Sequence, residues 1–170
     1  MKGIYELILP GTRSVRNYAE KLLSDIKPED FSRKPVVGGV PIDTNHPAFI
    51  VGHLCLYPSR VFKLLGVNDD TVAPPQNYYD LFVIGSECHD DPAGVKYPKK
   101  DELVSRLLRT TDIVINKLPE IPDAAFSAVN TEERSKERFP LVGAFVSYLL
   151  TAHANGHLGQ ITTWRRCMGL

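Results

Sequence analysis

Apolar positions recur at helical spacing in four long segments of this chain, separated by long polar stretches. In the first, from about Thr12 to Lys27, Val15, Tyr18, Leu22 and Ile26 mark one stripe, and Arg13, Arg16, Glu20 and Lys21 occupy the rest of the helix surface. Pro28 ends it. The second opens at Pro47, a residue favoured at the first helical position, and runs through Phe49, Ile50, Leu54, Tyr57, Val61 and Leu64 to a stop at Gly66. Pro58 lies inside this pattern and is expected to kink or split the helix. The third, about Lys99 to Leu118, repeats Leu103, Leu107, Thr111, Val114 and Leu118, widened by Val104, Leu108 and Ile115. Asp101 and Glu102 stand in its first turn, where the helix dipole favours them, and Pro119 closes it. The fourth, about Leu141 to Cys167, carries Val142, Phe145, Val146, Leu149, Leu150, Ile161 and Trp164.

This pattern predicts an all-α fold, a four-helix bundle in one domain spanning residues 1–170, a length sufficient for a proper core. The connections are roughly 17, 30 and 20 residues long, and loops of that size in a small helical domain are usually functional or form a lid. The longest is able to carry a crossover, which would let the second and third helices run parallel. Val36, Val37 and Val40, or Leu81 to Ile84, suit a short strand, but neither run has an evident partner.

Charge and cysteine content narrow the class. Lys plus Arg and Asp plus Glu both number 20, for a formal net charge of zero. Nothing in that balance suggests a nucleic-acid partner, which would normally show as a basic stripe; Arg165-Arg166 reads as a complement to a helix C-terminus. Cys55, Cys88 and Cys167 are odd in number and form no CxxC, so a disulfide framework is not expected and a reducing cytoplasm is. Met1 to Pro10 holds a short apolar run broken by Glu6, too weak for a signal peptide. No stretch approaches a membrane span.

The chemistry concentrates in His153-Ala154-Asn155-Gly156-His157. Histidines four apart on a helix share a face one turn apart, where two imidazoles can bind one metal ion. They continue the line of Val146 and Leu149 or Leu150 before them and of Gln160, Ile161 and Trp164 after them, so they should point into the bundle. A buried imidazole needs hydrogen-bond partners or a metal. His53, in line with Phe49, Ile50, Leu56 and Tyr57 on the second helix, is the candidate third ligand. Three nitrogens on one side of an ion leave the rest of its coordination sphere open to water or substrate, as catalytic sites require. Gly52 and Gly156 each precede a candidate ligand, and mid-helix glycine costs roughly 1 kcal/mol; close backbone approach around the site is the simplest use for them.

Other residues weigh less. A histidine pair at this spacing is often only surface or core. His46 is expected to cap the second helix beside Pro47; His89 is expected to be solvated in the long loop, and Cys55 to be core. Ala154 stands where HExxH requires Glu. No Glu-x-x-His supports a di-iron bundle, and neither a glycine-rich phosphate loop nor a Gly-x-Ser-x-Gly elbow occurs. Glu87, Asp90 and Asp91 are loop candidates for a general base. Gln160 and Asn155 are candidates to orient ligands or substrate.

Gly52-His53-Leu54, His153-x-x-x-His157-x-Gly159-Gln160-Ile161 and the closing Trp164-Arg165-Arg166 to Gly169 resemble the DinB/YfiT-like superfamily. The Lys27-Pro28-Glu29-Asp30-Phe31 to Lys34-Pro35 loop, and Tyr97-Pro98 before Asp101-Glu102-Leu103, fit it too. The resemblance implies an up-down-down-up bundle, often homodimeric, with a divalent metal on His53, His153 and His157. Characterised relatives include bacillithiol- or mycothiol-using thiol transferases and a maleylpyruvate isomerase. The segment from about Tyr78 to Pro98 is longer than in compact members. The expectation is a metal-dependent hydrolase or thiol transferase that activates water or a low-molecular-weight thiol against a small molecule, with zinc or nickel foremost and iron(II) compatible. The alternative is a non-catalytic metal- or small-molecule-binding bundle of stress-response type. Neither a nucleic-acid nor a membrane partner is expected.

Overall fold

The structure, a computed structural model, describes residues 3–170; Met1 and Lys2, the start of the run weighed as a signal peptide, lie outside the described residues. The chain is mostly helical: α1 (Tyr5–Ser24), α2 (Pro47–Leu54), α3 (Tyr57–Leu64), α4 (Gln76–Phe82), α5 (Lys100–Lys117), α6 (Asp123–Ser127), α7 (Val142–Tyr148) and α8 (Ala154–Met168). A hairpin of β1 (Val36–Val37) and β2 (Val40–Pro41) follows α1. Helix α1 packs on α5 and α8, and α2 packs on α4, α5 and α8. No helix among the described residues is long and apolar enough to cross a membrane.

Helix α1 begins well before Thr12 and contains Pro10. Pro10 is the sixth residue of α1, past the first turn; it lacks the N–H of one intrahelical bond, and the helix runs on through it. The buried stripe is therefore Ile8, Thr12, Val15, Ala19 and Leu23. Tyr18, expected on that stripe, is 40% exposed and its hydroxyl bonds that of Thr162 on α8 at 2.9 Å. Two bidentate ion pairs fix α1 to its neighbours: Arg16 to Asp112 of α5, and Arg165 of α8 to Asp25. Arg165 thus does more than complement its own helix end.

The second helical pattern is split. Helix α2 ends at Leu54, α3 starts at Tyr57, and Pro58 sits in the first turn of α3, where its missing N–H costs nothing. His46 caps α2 as expected: its Nδ1 accepts from Phe49 N–H at 3.2 Å, and its Nε2 donates to the His89 carbonyl at 2.9 Å. Cys55 is fully buried, as read from the sequence. The valine run finds its partner within itself. Gly38 and Gly39 have φ of +58° and +82°, which allows the tight turn that pairs Val37 with Val40. Leu81 to Ile84 forms no strand; it is the end of α4 and the turn after it.

The fourth pattern is interrupted by a π-helical turn, Leu149–His153, between α7 and α8. There the Thr151 hydroxyl donates to the Ser147 carbonyl at 2.6 Å. A Cβ on Gly11 of α1 would lie 2.9 Å from Thr151 Cγ2, so glycine lets α1 reach the widened turn.

The long connections are ordered against each other and do not form a loose lid. The Asp90 carboxylate accepts from Arg33 Nε at 3.0 Å and Lys34 N–H at 2.7 Å. The Asp91 carboxylate accepts from the amides of Val95, Lys96 and Tyr97. Trp164, fully buried, donates its indole N–H to the Arg33 carbonyl at 2.7 Å.

Burial pushes the His46 imidazole down from 6.5 to about 4. A depressed histidine contributes stability that is complete above pH 6.5 and is lost as pH falls toward about 4, because only the unfolded chain takes up the proton in that window. His46→Ala is expected to cost about 1–2 kcal/mol at neutral pH, read as a lower urea midpoint at unchanged slope. It should also flatten the acid loss of stability; an unaltered pH profile would count against this role for His46.

Candidate metal centre

His53 lies at the C-terminal end of α2, His153 closes the π turn, and His157 follows one turn into α8. The structure brings all three together. Ring centroids are 4.6 Å apart for His153–His157, 4.8 Å for His53–His157 and 5.7 Å for His53–His153. One ring nitrogen from each lies within 4.8 Å of the other two, a group able to hold a metal ion.

His53 is oriented from two sides. A carbonyl only accepts, so its 2.8 Å contact with Phe82 O places a proton on His53 Nδ1. Nε2 then carries the lone pair, which accepts from the Tyr57 hydroxyl at 3.0 Å, so the phenol has to give way before this nitrogen binds an ion. Phe82 ends α4, so part of the long connection read as a loop builds the wall of the site. Gly52 makes this possible. A Cβ there would stand 2.4 Å from the Phe82 ring, which is fully buried. The close approach expected at Gly52 is thus real, with a side chain as the neighbour. Gly156 differs: a Cβ there would meet nothing within 4 Å.

The other pair is less satisfied. His153 and His157 bring their Nε2 atoms to 3.2 Å of each other, and both Nδ1 atoms are buried without a hydrogen-bond partner. Nitrogens bound to one zinc ion stand roughly 3.3 Å apart. The spacing of this pair and the three imidazole donors together fit a divalent cation.

Electrostatics agree. Burial is the main cause of the lowered pKa of each ring. For His153 the neighbouring His157 and His53 then push it to about 3; for His157 the next cause is His53. His53 is lowered by burial and by Arg60, against the Phe82 carbonyl. All three are neutral at pH 7, the form a metal requires. Asn45, Phe49, Ile50, Val83 and Ile84 help line a chamber of about 380 Å³ over the rings.

Other candidates lie elsewhere. Asn155 is exposed and outside that chamber. Gln160 sits close enough to His157 to favour its protonated form, but it is exposed and lines a neighbouring polar pocket with Glu87. Asp90 and Asp91 are committed to loop contacts, which removes them as bases. The His89 side chain is half exposed, 3.7 Å from Glu87, away from the cluster. Tyr57, read as one more apolar position, was missed as a site residue; its ring centroid is 4.3 Å from that of His153. The available signal was its place four residues after His53, on the same face.

Fold and site together define a helical protein with a three-histidine cluster between α2 and the π-interrupted last helix. The family model of the DinB superfamily matches residues 12–161, a span that contains all three histidines, and the chain belongs to that superfamily. No curated protein matches it.

Gly52→Ala should gain about 1 kcal/mol of helix propensity and lose more to overpacking, about 1–3 kcal/mol. A net loss of stability by denaturant titration, with a shifted His53 imidazole resonance by NMR, is expected. Unchanged stability would show that the Phe82 ring has room to move.

Proposed function

We propose that this chain is a metal-dependent enzyme of small-molecule chemistry in which His53, His153 and His157 hold a divalent cation. The observation that carries this reading is the convergence of three neutral imidazoles from two separate segments, two of them with their Nε2 atoms 3.2 Å apart. When bound, such an ion lowers the pKa of a coordinated water or thiol, giving a nucleophile near neutral pH. Three imidazoles suit zinc or nickel, and iron(II) as well.

The chain's own residues supply the rest. The Phe82 carbonyl keeps the His53 proton on Nδ1, so Nε2 remains a donor to the ion. Burial keeps the Tyr57 phenol protonated, so it offers an O–H at the same face. Phe49 and Ile50 exclude water from the inner wall. Helix α1, the α2–α3 pair, α5 and the α7–α8 pair are read as the four legs of an up-down-down-up bundle, and the active form as a cytoplasmic homodimer. One observation favours the non-catalytic alternative: among the described residues, no carboxylate lines the histidine chamber to serve as a general base.

Elemental analysis of purified protein should find about one divalent ion per chain, lost in His157→Ala with the helical circular dichroism retained. Thiol-dependent consumption of a small electrophile, abolished by chelation, supports the enzyme. A bound ion without turnover across thiols and hydrolysable substrates supports the binding module. Absence of a bound ion after incubation with zinc, nickel or iron(II) would remove the enzyme and the metal-binding module, and leave the small-molecule-binding bundle.

A further inference from the structure

The histidine chamber is one half of a longer cleft. Beyond Tyr57 a second chamber of about 320 Å³ opens over Arg60 and Lys63, and the two meet at His53, Tyr57, Val83 and Ile84. Each volume lies at the low end of the range for small-ligand sites. Their walls differ in charge. Among the described residues, no Asp, Glu, Lys or Arg lines the histidine chamber. The second is lined by Arg60, Lys63 and Glu132.

These three groups leave an excess of positive charge. Arg60 is held by Glu132 in a bidentate pair, with Nε on Oε1 at 3.2 Å and Nη2 on the second oxygen. That pair is balanced, and Lys63 adds a further cation to the same wall. The guanidinium carbon stands 5.9 Å from the centroid of the Tyr57 ring, whose hydroxyl touches His53. Glu132 is itself fixed in place: its amide donates to the side chain of buried Asn130 at 3.1 Å. At the outer edge, Tyr79, Val83 and Ile84 present apolar surface, with Ile84 72% exposed.

We propose that the second chamber is an anion-accepting subsite that takes the carboxylate of a short amphipathic monoanionic substrate, placing its other, reactive end at the three histidines. This deepens, and rests on, the metal-site reading above. Arg60 and Lys63 receive the carboxylate, and the apolar middle of the substrate lies along Val83 and Ile84 past the Tyr57 ring. Glu132 keeps Arg60 extended along the wall and tempers its charge, so a neutral analogue gains nothing from this end of the cleft.

The test uses the full-length chain loaded with Co²⁺, followed by visible absorption. The monohydroxamates of succinic, adipic and suberic acids are titrated against the same hydroxamates with a terminal amide in place of the carboxylate. At least one acid is expected to bind about tenfold more tightly than its amide, a preference that declines with ionic strength. Arg60→Met/Lys63→Met should abolish the preference, and Glu132→Gln should enlarge it, with Co²⁺ uptake unchanged in both. A structural role for Arg60 would not produce those opposite effects. Equal affinity for acid and amide in protein that has taken up Co²⁺ overturns the subsite and leaves the metal reading intact. Protein that takes up no Co²⁺ overturns the metal reading; calorimetry with hexanoate against hexanamide then decides the subsite, which stands only with the same preference and the same dependence on Arg60 and Lys63.

Discussion

Three imidazole rings packed around one largely buried point repel protons from one another, and much of this structure follows from that. Each ring is kept neutral first by burial, which penalises the charged form; at His153 and His157 the neighbouring rings add to it. Neutral rings carry lone pairs, and buried lone pairs need a proton donor or a cation. At His53 the surroundings answer with a carbonyl on one nitrogen and a phenol on the other. At His153 and His157 they supply only the other ring, and two nitrogens stay orphaned. A cation held at the facing Nε2 atoms would replace the contact between the two rings, while the Nδ1 groups behind them stay without partners.

Holding those rings still falls to the connections. Helix α4 exists inside what would otherwise be a loop, and its last carbonyl is the one that orients His53. The segment after α4 is tied through Asp90 to Arg33 and Lys34, and the same stretch receives the Trp164 indole proton from α8. The chain leaving α1, the chain leaving α4 and the final helix therefore brace one another. A movement of α4 would be felt at His53 through the Phe82 carbonyl and through the ring seated on Gly52.

What could be read from the sequence divides along physical lines. The helical segments, the break at Pro58 and the cap at His46 were legible, because periodicity and local chemistry fix them. The three histidines were legible as well, since spacing four apart and alignment with an apolar stripe are properties of a helix alone. The start of α1 was misplaced because the helix begins at Tyr5 and runs through Pro10, a residue type that usually breaks a helix interior. Tyr57 and Arg60 were not recognised, because a phenol on an apolar stripe and a cation between two such positions look ordinary until a tertiary neighbour is known. The Phe82 carbonyl is backbone, and no residue type announces it.

The π turn is the least legible feature and the one that sets the phase of the site. Read as a continuous α-helix, the stripe of Val142, Phe145, Val146, Leu149 and Leu150 runs straight into His153 and His157. The turn at Leu149–His153 accommodates one residue more, and each residue of an α-helix is worth about 100° of rotation. Beyond it the buried positions are Leu158, Ile161 and Trp164, with Ala154 packed beside them. The histidines thus stand one residue ahead of the core line. They sit on its flank, half-buried, facing a chamber open to small molecules. On the core line itself the same two rings would be sealed among leucines, with His53 still at the mouth. The inserted residue is what turns a pair of core histidines into a pair that can share an accessible ligand with a third.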